Sequence, residues 1–445
     1  MNTILKTFSK NVHKMIFHIS PISKIGAEEL INGDSQVPEN DFHNKLGDIY
    51  PYSLIRYLSG VGNLMTDSTS IPVSWEFCLD ITGTSHFILK YQGIHYYKPD
   101  EHSFSGRCNE MEGWSVNIEK LWIESTNSKG QTNVLYCISP EFTFEKRGVE
   151  GIHPSKAIAY ITNFEFLGLE KTETNGGFNF DKFSVDLKRL ALEFKLTENS
   201  NEIRELIDTK RINHGVLSYI TVVPHECHSL EEVKKEIKSI TSFLSSVTLT
   251  TNYPQKIEYY DENNEIVRFD VMETTKLRFN NEAIIDNFLT RRGLKHLFDS
   301  SYQKYRELED SLKLNEYTNR IVDIQNQTFI DNKLAQLIMA YEFLISNYLV
   351  SLGCLSRDEL ELMNIQKKMT SINKQLRFIP KNLLTDDLRK VRNPLFHTGA
   401  IPFMNSNELY NFYTDYNDLL MRIYLRIIGY DGEYISRKDY KPAQV

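Results

Sequence analysis

Cysteine is scarce in this chain of 445 residues, and the five cysteines that occur are scattered. Their number is odd and no two have zinc-ligand spacing, as the positions show: Cys78, Cys108, Cys137, Cys227 and Cys354. This pattern excludes a disulfide scaffold and favours reduced thiols in a cytoplasm. We therefore expect a cytoplasmic protein with no metal ion and no cofactor.

Long apolar runs are also scarce. The N-terminus has no secretory pattern, because Lys10, His13 and Lys14 interrupt its apolar residues. One segment, residues 334–355, reaches the length of a membrane span, but Glu342 lies near its centre. Because a central carboxylate is costly in a bilayer, we interpret this segment as the core helix of a bundle and expect no membrane partner.

Two common catalytic signatures, the nucleophile elbow and the Walker-type phosphate loop, are missing too. Gly176 and Gly177 lack the strand–glycine–helix context of a phosphate loop, so they predict a turn. Residues 225–228 read HECH, which offers four metal-binding side chains in a row. Adjacent side chains cannot all reach one ion, and no second cluster supplies the remaining ligands, so a loop without metal is the favoured interpretation.

What the chain does have is the composition of a folded protein, with 41% hydrophobic and 25% charged residues. The chain is too long to fold around one hydrophobic core of ordinary size, which predicts two or three domains. The net charge of −8 argues against a protein that coats nucleic acid with its whole surface. The acidity lies in the N-terminal part, with 35 Lys and Arg against 45 Asp and Glu, whereas from residue 320 onward there are 16 against 14.

The N-terminal part favours strands from about residue 70 to 225, because segments rich in β-branched and aromatic residues alternate with Gly, Asn, Ser and Pro. The clearest strand segments are residues 86–98, 132–146, 157–170 and 215–223. Ser229 and Glu232 have capping-box spacing, which predicts a helix to about residue 246, and residues 256–272 then predict a hairpin.

Helices are predicted from about residue 281 to the end. Beyond a strongly charged stretch at residues 306–320, the apolar periodicity predicts helices at residues 329–352, 357–376, 383–397 and 407–428. Gly429 has the position of a helix C-cap glycine, and the short connections predict an antiparallel bundle.

The expected fold is therefore multidomain α+β. A β-rich region with packed helices occupies residues 1–300, a helical linker residues 301–324, and an all-α helical bundle residues 325–445. The role of residues 1–60 is left open.

The stretch that carries chemistry is RNPLFH at residues 392–397. It places the permanent cation of Arg392, the amide of Asn393 and the neutral-range titrating imidazole of His397 within six residues. Such groups can cut a phosphodiester without a metal. The spacing alone proves little, because Arg291 with His296 and Arg147 with His153 repeat it approximately.

Glu342 lies at the edge of the apolar stripe of the first bundle helix, where a carboxylate needs a partner. Arg392 is the candidate, either as a structural ion pair or as a cation that Glu342 orients towards phosphate. On an ideal helix Arg392 and His397 diverge by about 140°. Pro394 predicts a break that would bring them together, and the alternative is a plain helix end with His397 on its surface.

A run of basic residues surrounds the motif, opposed only by Asp386 and Asp387. We predict that it tracks an RNA backbone, although a solvated helix face is the commoner meaning of such a run. The predicted RNA-binding residues are Lys367, Lys368, Lys374, Arg377, Lys381, Arg389 and Lys390. Aromatic rings for base stacking are available at Phe378, Phe396 and Phe403.

Residues 388–399 (LRKVRNPLFHTG) resemble the active-site segment of HEPN ribonucleases, in which Arg is followed by a polar residue and, after four to six residues, by His. The ending IIGYDGEY at residues 427–434 and the step Ala340-Tyr341-Glu342 are similar to the ApeA-like branch of that family. The predicted strand at residues 161–166 and helix at residues 240–244 are similar to the N-terminal domain joined to it. Gly399 departs from members that have Tyr two residues after the His.

The resemblance implies a metal-independent endoribonuclease of bacterial anti-phage defence, often acting by halting the infected cell. It implies a homodimer in which two Arg–His motifs meet in one cleft, and a β-rich part that senses a phage-derived trigger or restrains the nuclease. Arg392, His397 and Asn393 would be catalytic and Glu342 supporting. Two alternatives remain: a bundle that binds RNA, a nucleotide or a partner without cleavage, and a scaffold in which Arg392 and Glu342 only hold the bundle together.

Overall fold

The computed structural model describes residues 55–66, 69–79, 85–93, 101–129, 132–149, 151–174, 177–273, 282–287, 289–290, 293–399 and 401–445. Within these residues the chain forms sixteen strands and nine α-helices. The strands are β1 Ile55–Met65, β2 Ser70–Leu79, β3 Ser85–Gln92, β4 His102–Cys108, β5 Trp114–Lys129, β6 Thr132–Ile138, β7 Glu141–Lys146, β8 Lys156–Thr162, β9 Glu170–Thr174, β10 Gly177–Leu187, β11 Leu190–Leu196, β12 Val216–Pro224, β13 Tyr253–Tyr260, β14 Ile266–Met272, β15 Glu433–Ile435 and β16 Pro442–Gln444. The helices are α1 Ser200–Asp208, α2 Leu230–Thr248, α3 Gly293–Leu312, α4 Leu314–Asn326, α5 Ile330–Ser351, α6 Arg357–Glu361, α7 Ile365–Leu376, α8 Asp387–Thr398 and α9 Ser406–Ile427.

The first of two compact units contains β1–β4, β6 and the larger part of β5. Its strands follow the order β4-β1-β2-β3-β6-β5, and an additional pairing of β4 with β5 closes the ring. The rings of Trp75, Phe87 and Phe104 pack together inside, with centroids 5.2–6.5 Å apart. Gly60 on β1 makes room for this core, because a β-carbon there would lie 2.7 Å from Nε1 of Trp75.

The second unit contains a large antiparallel sheet with the order β5-β7-β14-β13-β8-β12-β11-β10-β9, of which only the first residues of β5 take part. Helix α2 packs on this sheet against β13 and β8. It begins with the predicted capping box, in which Ser229 and Glu232 bond each other's backbone N–H. Apolar residues of the helix and the sheet, among them Ile237, Phe243 and Ile257, are fully buried at this contact layer.

The predicted hairpin at residues 256–272 is confirmed as β13 and β14. The predicted strand at residues 157–170 is wrong in its second half, because β8 ends at Thr162. Asn163 adopts a left-handed backbone with φ 58°, and its side-chain oxygen accepts a hydrogen bond from Gly215 N at 3.3 Å. This side-chain bond stabilises a turn that ends the strand, so residues 161–166 do not form one strand.

Two other predicted strand segments are confirmed with changes. Residues 132–146 form two strands, β6 and β7, because the chain turns at Ser139, whose hydroxyl donates to the Glu141 carbonyl at 2.7 Å. Residues 86–92 of the segment predicted at 86–98 belong to β3, and the end of that segment lies outside the described residues. Gly176 of the predicted glycine turn also lies outside them.

The boundary between the two compact units does not coincide with the predicted linker at residues 301–324. The second unit extends through residues 139–445, and α3 and α4 pack on α2 and α5. Tyr305, Leu312 and Tyr317 of these two helices are fully buried. The charges that suggested a junction, such as Asp310 and Glu316, occupy the exposed face. Amphipathic helices packed on both neighbours thus connect the sheet to the C-terminal helices.

The C-terminal half is helical, and the predicted first and last bundle helices are confirmed as α5 and α9. The predicted helix at residues 357–376 is wrong as one element, since Asn364 caps a new helix by accepting a hydrogen bond from Lys367 N at 2.9 Å. After α9 the chain turns at Gly429 with φ 80° and adds the short hairpin β15–β16. Residues 325–445 are therefore helical with a small β tail.

Among the described residues, α5 alone has the length and composition of a membrane span. Half of its most apolar window is buried inside the protein, and Tyr341 from α5 donates a hydrogen bond to the Tyr416 carbonyl of α9. These contacts agree with a core helix of the bundle and do not suggest a membrane.

Candidate functional site

The motif lies on α8, which three apolar side chains attach to the bundle. Leu388, Val391 and Leu395 are buried and define one face of the helix. The opposite face is left to solvent, and Gly399 ends the helix with φ 73°. Because the motif residues alternate with these anchors, they are presented on the outer surface of the bundle.

Pro394 lies inside α8, and the break that the sequence predicts there is wrong. Proline removes one helix hydrogen bond, but the apolar anchors Val391 and Leu395 fasten the helix on both sides of it. The last turn is closed by bonds from Gly399 N to the Leu395 carbonyl at 3.1 Å and from Thr398 Oγ1 to the Pro394 carbonyl at 2.8 Å. Packing and capping therefore maintain the helical path to Thr398.

An unbroken helix separates the two ends of the motif. Arg392 and His397 leave the axis about 140° apart, whereas Asn393 and His397 differ by only about 40° and one turn. Within one chain, Asn393 therefore lies on the same side of α8 as the His397 imidazole, and the Arg392 guanidinium is directed to another side. The hypothesis that a kink brings Arg392 and His397 together within one chain fails for this reason.

Arg392 is held at the boundary between α8 and α5. Its Nε donates a hydrogen bond to Oε1 of Glu342 at 3.0 Å, as the sequence predicts for this pair. The guanidinium carbon also lies 5.4 Å from the centre of the Phe396 ring. The two charged side chains are 38% and 30% exposed. Since only Nε is used by Glu342, the terminal amino groups of Arg392 remain as donors for an anion.

Asn393 and His397 are both exposed. Within the described part of the chain, neither side chain has a hydrogen-bond partner. An imidazole and an amide in this setting can each offer hydrogen-bonding groups to a ligand without breaking an internal bond.

A surface pocket of about 380 Å³ lies on the same side of α8. Its walls come from two segments, the exposed face of α8 and the connection to α9. The lining residues are Arg389, Lys390, Asn393, Pro394 and Phe403. Of the residues predicted from sequence, the structure therefore brings Asn393, Arg389, Lys390 and Phe403 together, and places His397 one turn beyond Asn393.

The two cations of the pocket are partly neutralised. Nε of Arg389 donates to both carboxylate oxygens of Asp386 at 2.7 and 2.8 Å, and Lys390 donates to Asp387 at 3.2 Å. The bond from Arg389 lowers the pKa of Asp386, and bonds from Thr385 and then Lys390 lower the pKa of Asp387. The acidic pair that the sequence shows opposite the basic run thus binds that run directly.

The other predicted RNA-binding residues lie outside the pocket lining. Lys367, Lys374, Arg377 and Lys381 are on α7 and the segment after it. Lys368 donates a hydrogen bond to Ser346 of α5 at 3.3 Å, so it also connects two helices. The basic run is therefore distributed over two helices and one connection, and only its last part reaches the motif.

Phe378 is the stacking candidate with two cationic neighbours. The guanidinium carbons of Arg422 and Arg426 lie 5.1 and 5.7 Å from the centre of its ring. These arginines are not among the residues predicted from the sequence, although their spacing of four on α9 is a usable signal. Phe396 is near Arg392, which leaves Phe403 as the aromatic wall of the pocket.

The competing sequence features have local roles. His225 Nε2 contacts Asp186 at 3.0 Å, and His228 bonds the Cys227 carbonyl at 3.0 Å, so the two imidazoles of the HECH loop point to different partners. His296 contacts Asp431 at 3.1 Å, and Arg291 lies outside the described residues. Within the described chain, no group of three or more His, Cys, Asp and Glu side chains could hold a metal.

None of the protein-family models, curated proteins or solved structures compared with this chain matches it. The resemblance to HEPN ribonucleases accordingly rests on the sequence segments named above alone. Function must be argued from the chemistry of the site on α8.

Proposed function

We propose that this protein is a metal-independent endoribonuclease of the HEPN type, with its active site on α8. The observation that carries the proposal is the exposed His397 one helical turn from the exposed Asn393 at a pocket with basic walls. A general acid or base must be accessible to its substrate, and an exposed imidazole without an internal hydrogen-bond partner among the described residues meets this requirement.

The reaction follows from the groups available. The RNA 2′-oxygen attacks the adjacent phosphorus, and the bond from phosphorus to the 5′-oxygen breaks. One imidazole takes the proton of the 2′-hydroxyl, and another gives a proton to the departing 5′-oxygen. Arg392 binds the non-bridging oxygens and stabilises their growing charge, while Asn393 positions the phosphate. The products carry a 2′,3′-cyclic phosphate and a 5′-hydroxyl.

A second copy completes the site in this proposal. Within one α8, Arg392 and His397 leave the helix axis about 140° apart, so they are not directed towards one linkage. Two antiparallel copies of α8 facing each other would place Arg392 of one protomer near His397 of its partner. The two imidazoles would then divide the acid and base steps. The homodimer is thus a requirement of the chemistry as well as an implication of the resemblance.

The proposed setting is the bacterial cytoplasm during phage infection. The acidic β-rich part would sense a phage-derived trigger or restrain the helical part until RNA cleavage is needed. This assignment rests on the resemblance, and the chemistry of α8 can be tested without it.

The test is RNA cleavage in EDTA by the full chain and by His397→Ala. We expect the substitution to lower the cleavage rate by about 10²–10⁴-fold, the usual contribution of a general acid or base. His225→Ala is the matched control, because it removes another exposed histidine, 41% exposed, away from α8. Cleavage that survives His397→Ala, or products with 3′-hydroxyl ends, would refute the proposal.

A second function is favoured by the separation of Arg392 from His397 and by the engagement of Arg392 with Glu342. Both features suit a module that binds RNA without cutting it. Fluorescence anisotropy with end-labelled RNA distinguishes the two functions. Tight binding with intact ends after long incubation, over several RNA types, would select the binding module.

A further inference from the structure

The connection between α8 and α9 fixes Phe403 in an exposed position. On one side Ile401 is buried, with 8% of its surface exposed. On the other side Asn405 caps α9 by accepting hydrogen bonds from the backbone N–H groups of Asn407 and Glu408, both at 3.0 Å. Phe403 between these anchors keeps 53% of its surface exposed. A large apolar ring held open in this way is suited to stacking on a ligand.

The pocket beside Phe403 combines apolar and polar walls. Phe403 and Pro394 supply the apolar surfaces, and Asn393 supplies an amide. Because Pro394 has no backbone N–H, the Lys390 carbonyl lacks its usual helix donor. The pocket therefore offers a stacking surface and, next to it, donors and acceptors.

The charges of the pocket favour an anionic group at its edge. The Lys390 side chain is 60% exposed, and its one bond to Asp387 uses one of three ammonium protons. The volume of about 380 Å³ is near the low end of small-molecule sites, which span about 300–1,000 Å³. A single nucleotide has this combination of flat base, polar base edge and phosphate.

We infer that this pocket is a nucleotide subsite for single-stranded RNA, and that it selects the base next to the cleaved linkage. The base stacks on Phe403, the Asn393 amide contacts its edge, and the Lys390 ammonium attracts its phosphate. Asn393 and His397 are four residues apart, a rise of about 6 Å, so a nucleotide in the pocket lies adjacent to the imidazole. This inference rests on the proposed function, since it names a specificity subsite for the same active site.

The experiment uses the full chain carrying His397→Ala, in which cleavage of the probe is expected to be slowed by about 10²–10⁴-fold. The probe is a five-nucleotide single-stranded RNA with 2-aminopurine at its centre, and the measurements are its fluorescence quenching and the dissociation constant from anisotropy. We expect Phe403→Ala to weaken binding about tenfold or more and to remove the quenching, in line with the measured effects of removing an aromatic stacking partner. Phe403→Tyr should retain both signals.

Two controls make the result specific. Phe329→Ala removes another exposed Phe, 69% exposed, at the start of α5, and should leave affinity and quenching unchanged. An RNA with an abasic residue in place of the central nucleotide should bind the His397→Ala protein more weakly than the probe does. With this abasic RNA, the addition of Phe403→Ala should cause no further loss of affinity, because the base that stacks on the ring is absent.

Two outcomes would overturn the subsite: equal affinity and quenching with and without Phe403, or an equal loss caused by Phe329→Ala. The failure of the proposed function is separate. If the probe stacks on Phe403 as expected but the parent chain leaves RNA intact, the nuclease assignment fails and the nucleotide subsite stands.

Discussion

Charged residues occur in two contrasting settings in the second unit: beneath α2 on the sheet, and on the outer face of α8. Asp270 on β14 is fully buried and accepts hydrogen bonds from Arg268, Thr143 and Tyr259. Lys234 from α2 lies 3.0 Å from the same carboxylate. Both oxygens of this carboxylate are thus used internally, and its cations are held in a fixed position.

The outer face of α8 carries similar charged and polar groups, but there they are exposed to solvent. Arg392 and Glu342 are about one-third exposed, and His397 and Asn393 are open to water without partners among the described residues. A buried network satisfies its groups and stabilises one geometry. A half-exposed pair with neighbouring unpaired groups retains donors for a ligand. Asp270 therefore has a structural role, whereas the groups on α8 are available for the proposed ligand contact.

The largest effect is expected from Asp270→Ala. The change removes the buried carboxylate that Lys234 and Arg268 share, which leaves Lys234 paired with Glu141 and Arg268 with Glu231. Breaking a buried pair costs about 3–5 kcal/mol. The free energy of unfolding, measured with urea, should fall by that amount. Asp186→Ala, an 83% exposed carboxylate paired with His225, is the control and should stay within about 1 kcal/mol. If Asp270→Ala changed the free energy of unfolding only slightly, the contrast between the buried charges at Asp270 and the exposed charges on α8 would not hold.

The same carboxylate predicts a pH dependence. Burial raises the pKa of Asp270, but Lys234 and Arg268 more than offset this effect and lower the pKa below its ordinary value of 3.8. Its contribution to stability is therefore complete above about pH 4 and is lost as pH falls through the lowered pKa. In Asp270→Asn this acid-linked decrease in unfolding free energy should be smaller than in the parent.

Arg392→Ala should affect activity much more than stability. We expect cleavage to fall by about 10²–10³-fold, as on removing one donor to a developing negative charge. The half-exposed pair with Glu342 should contribute only about 0–1 kcal/mol to unfolding. Glu342→Gln, which can still accept the bond from Arg392, should retain more activity than Glu342→Ala. A loss of several kcal/mol in stability with unchanged cleavage would favour the scaffold alternative.

The smallest effect is expected from the cations on α7, Lys367 and Lys374. If each contacts one RNA phosphate, alanine should reduce the slope of log affinity against log salt by about 0.7 per residue. Titrations in the His397→Ala background at several salt concentrations would measure it. Lys333→Ala, on the first turn of α5, is a control outside the predicted run. An unchanged slope would limit the RNA contact to α8 and its pocket.

Several elements were predictable because their signals are local. The capping box at Ser229 and the apolar arcs of α5 and α9 depend on residues within one or two turns, and the structure confirms these helices. The partnership of Glu342 with Arg392 was also predictable, because a carboxylate at a buried edge requires a cation. The single long helix at residues 357–376 failed because a short polar cap, Asn364, outweighed the apolar pattern.

The sequence by itself determined which groups are available: an arginine, an amide and a histidine on one short helix, with a basic run before them. Tertiary structure decided their directions, because packing of Val391 and Leu395 kept α8 helical through Pro394. It also decided the pocket, since Phe403 and Asn393 line the same pocket where Ile401 and the cap at Asn405 fix the connection between two helices. Local sequence propensity determines which helices form, and burial of residues distant in sequence determines how the side chains on them are directed.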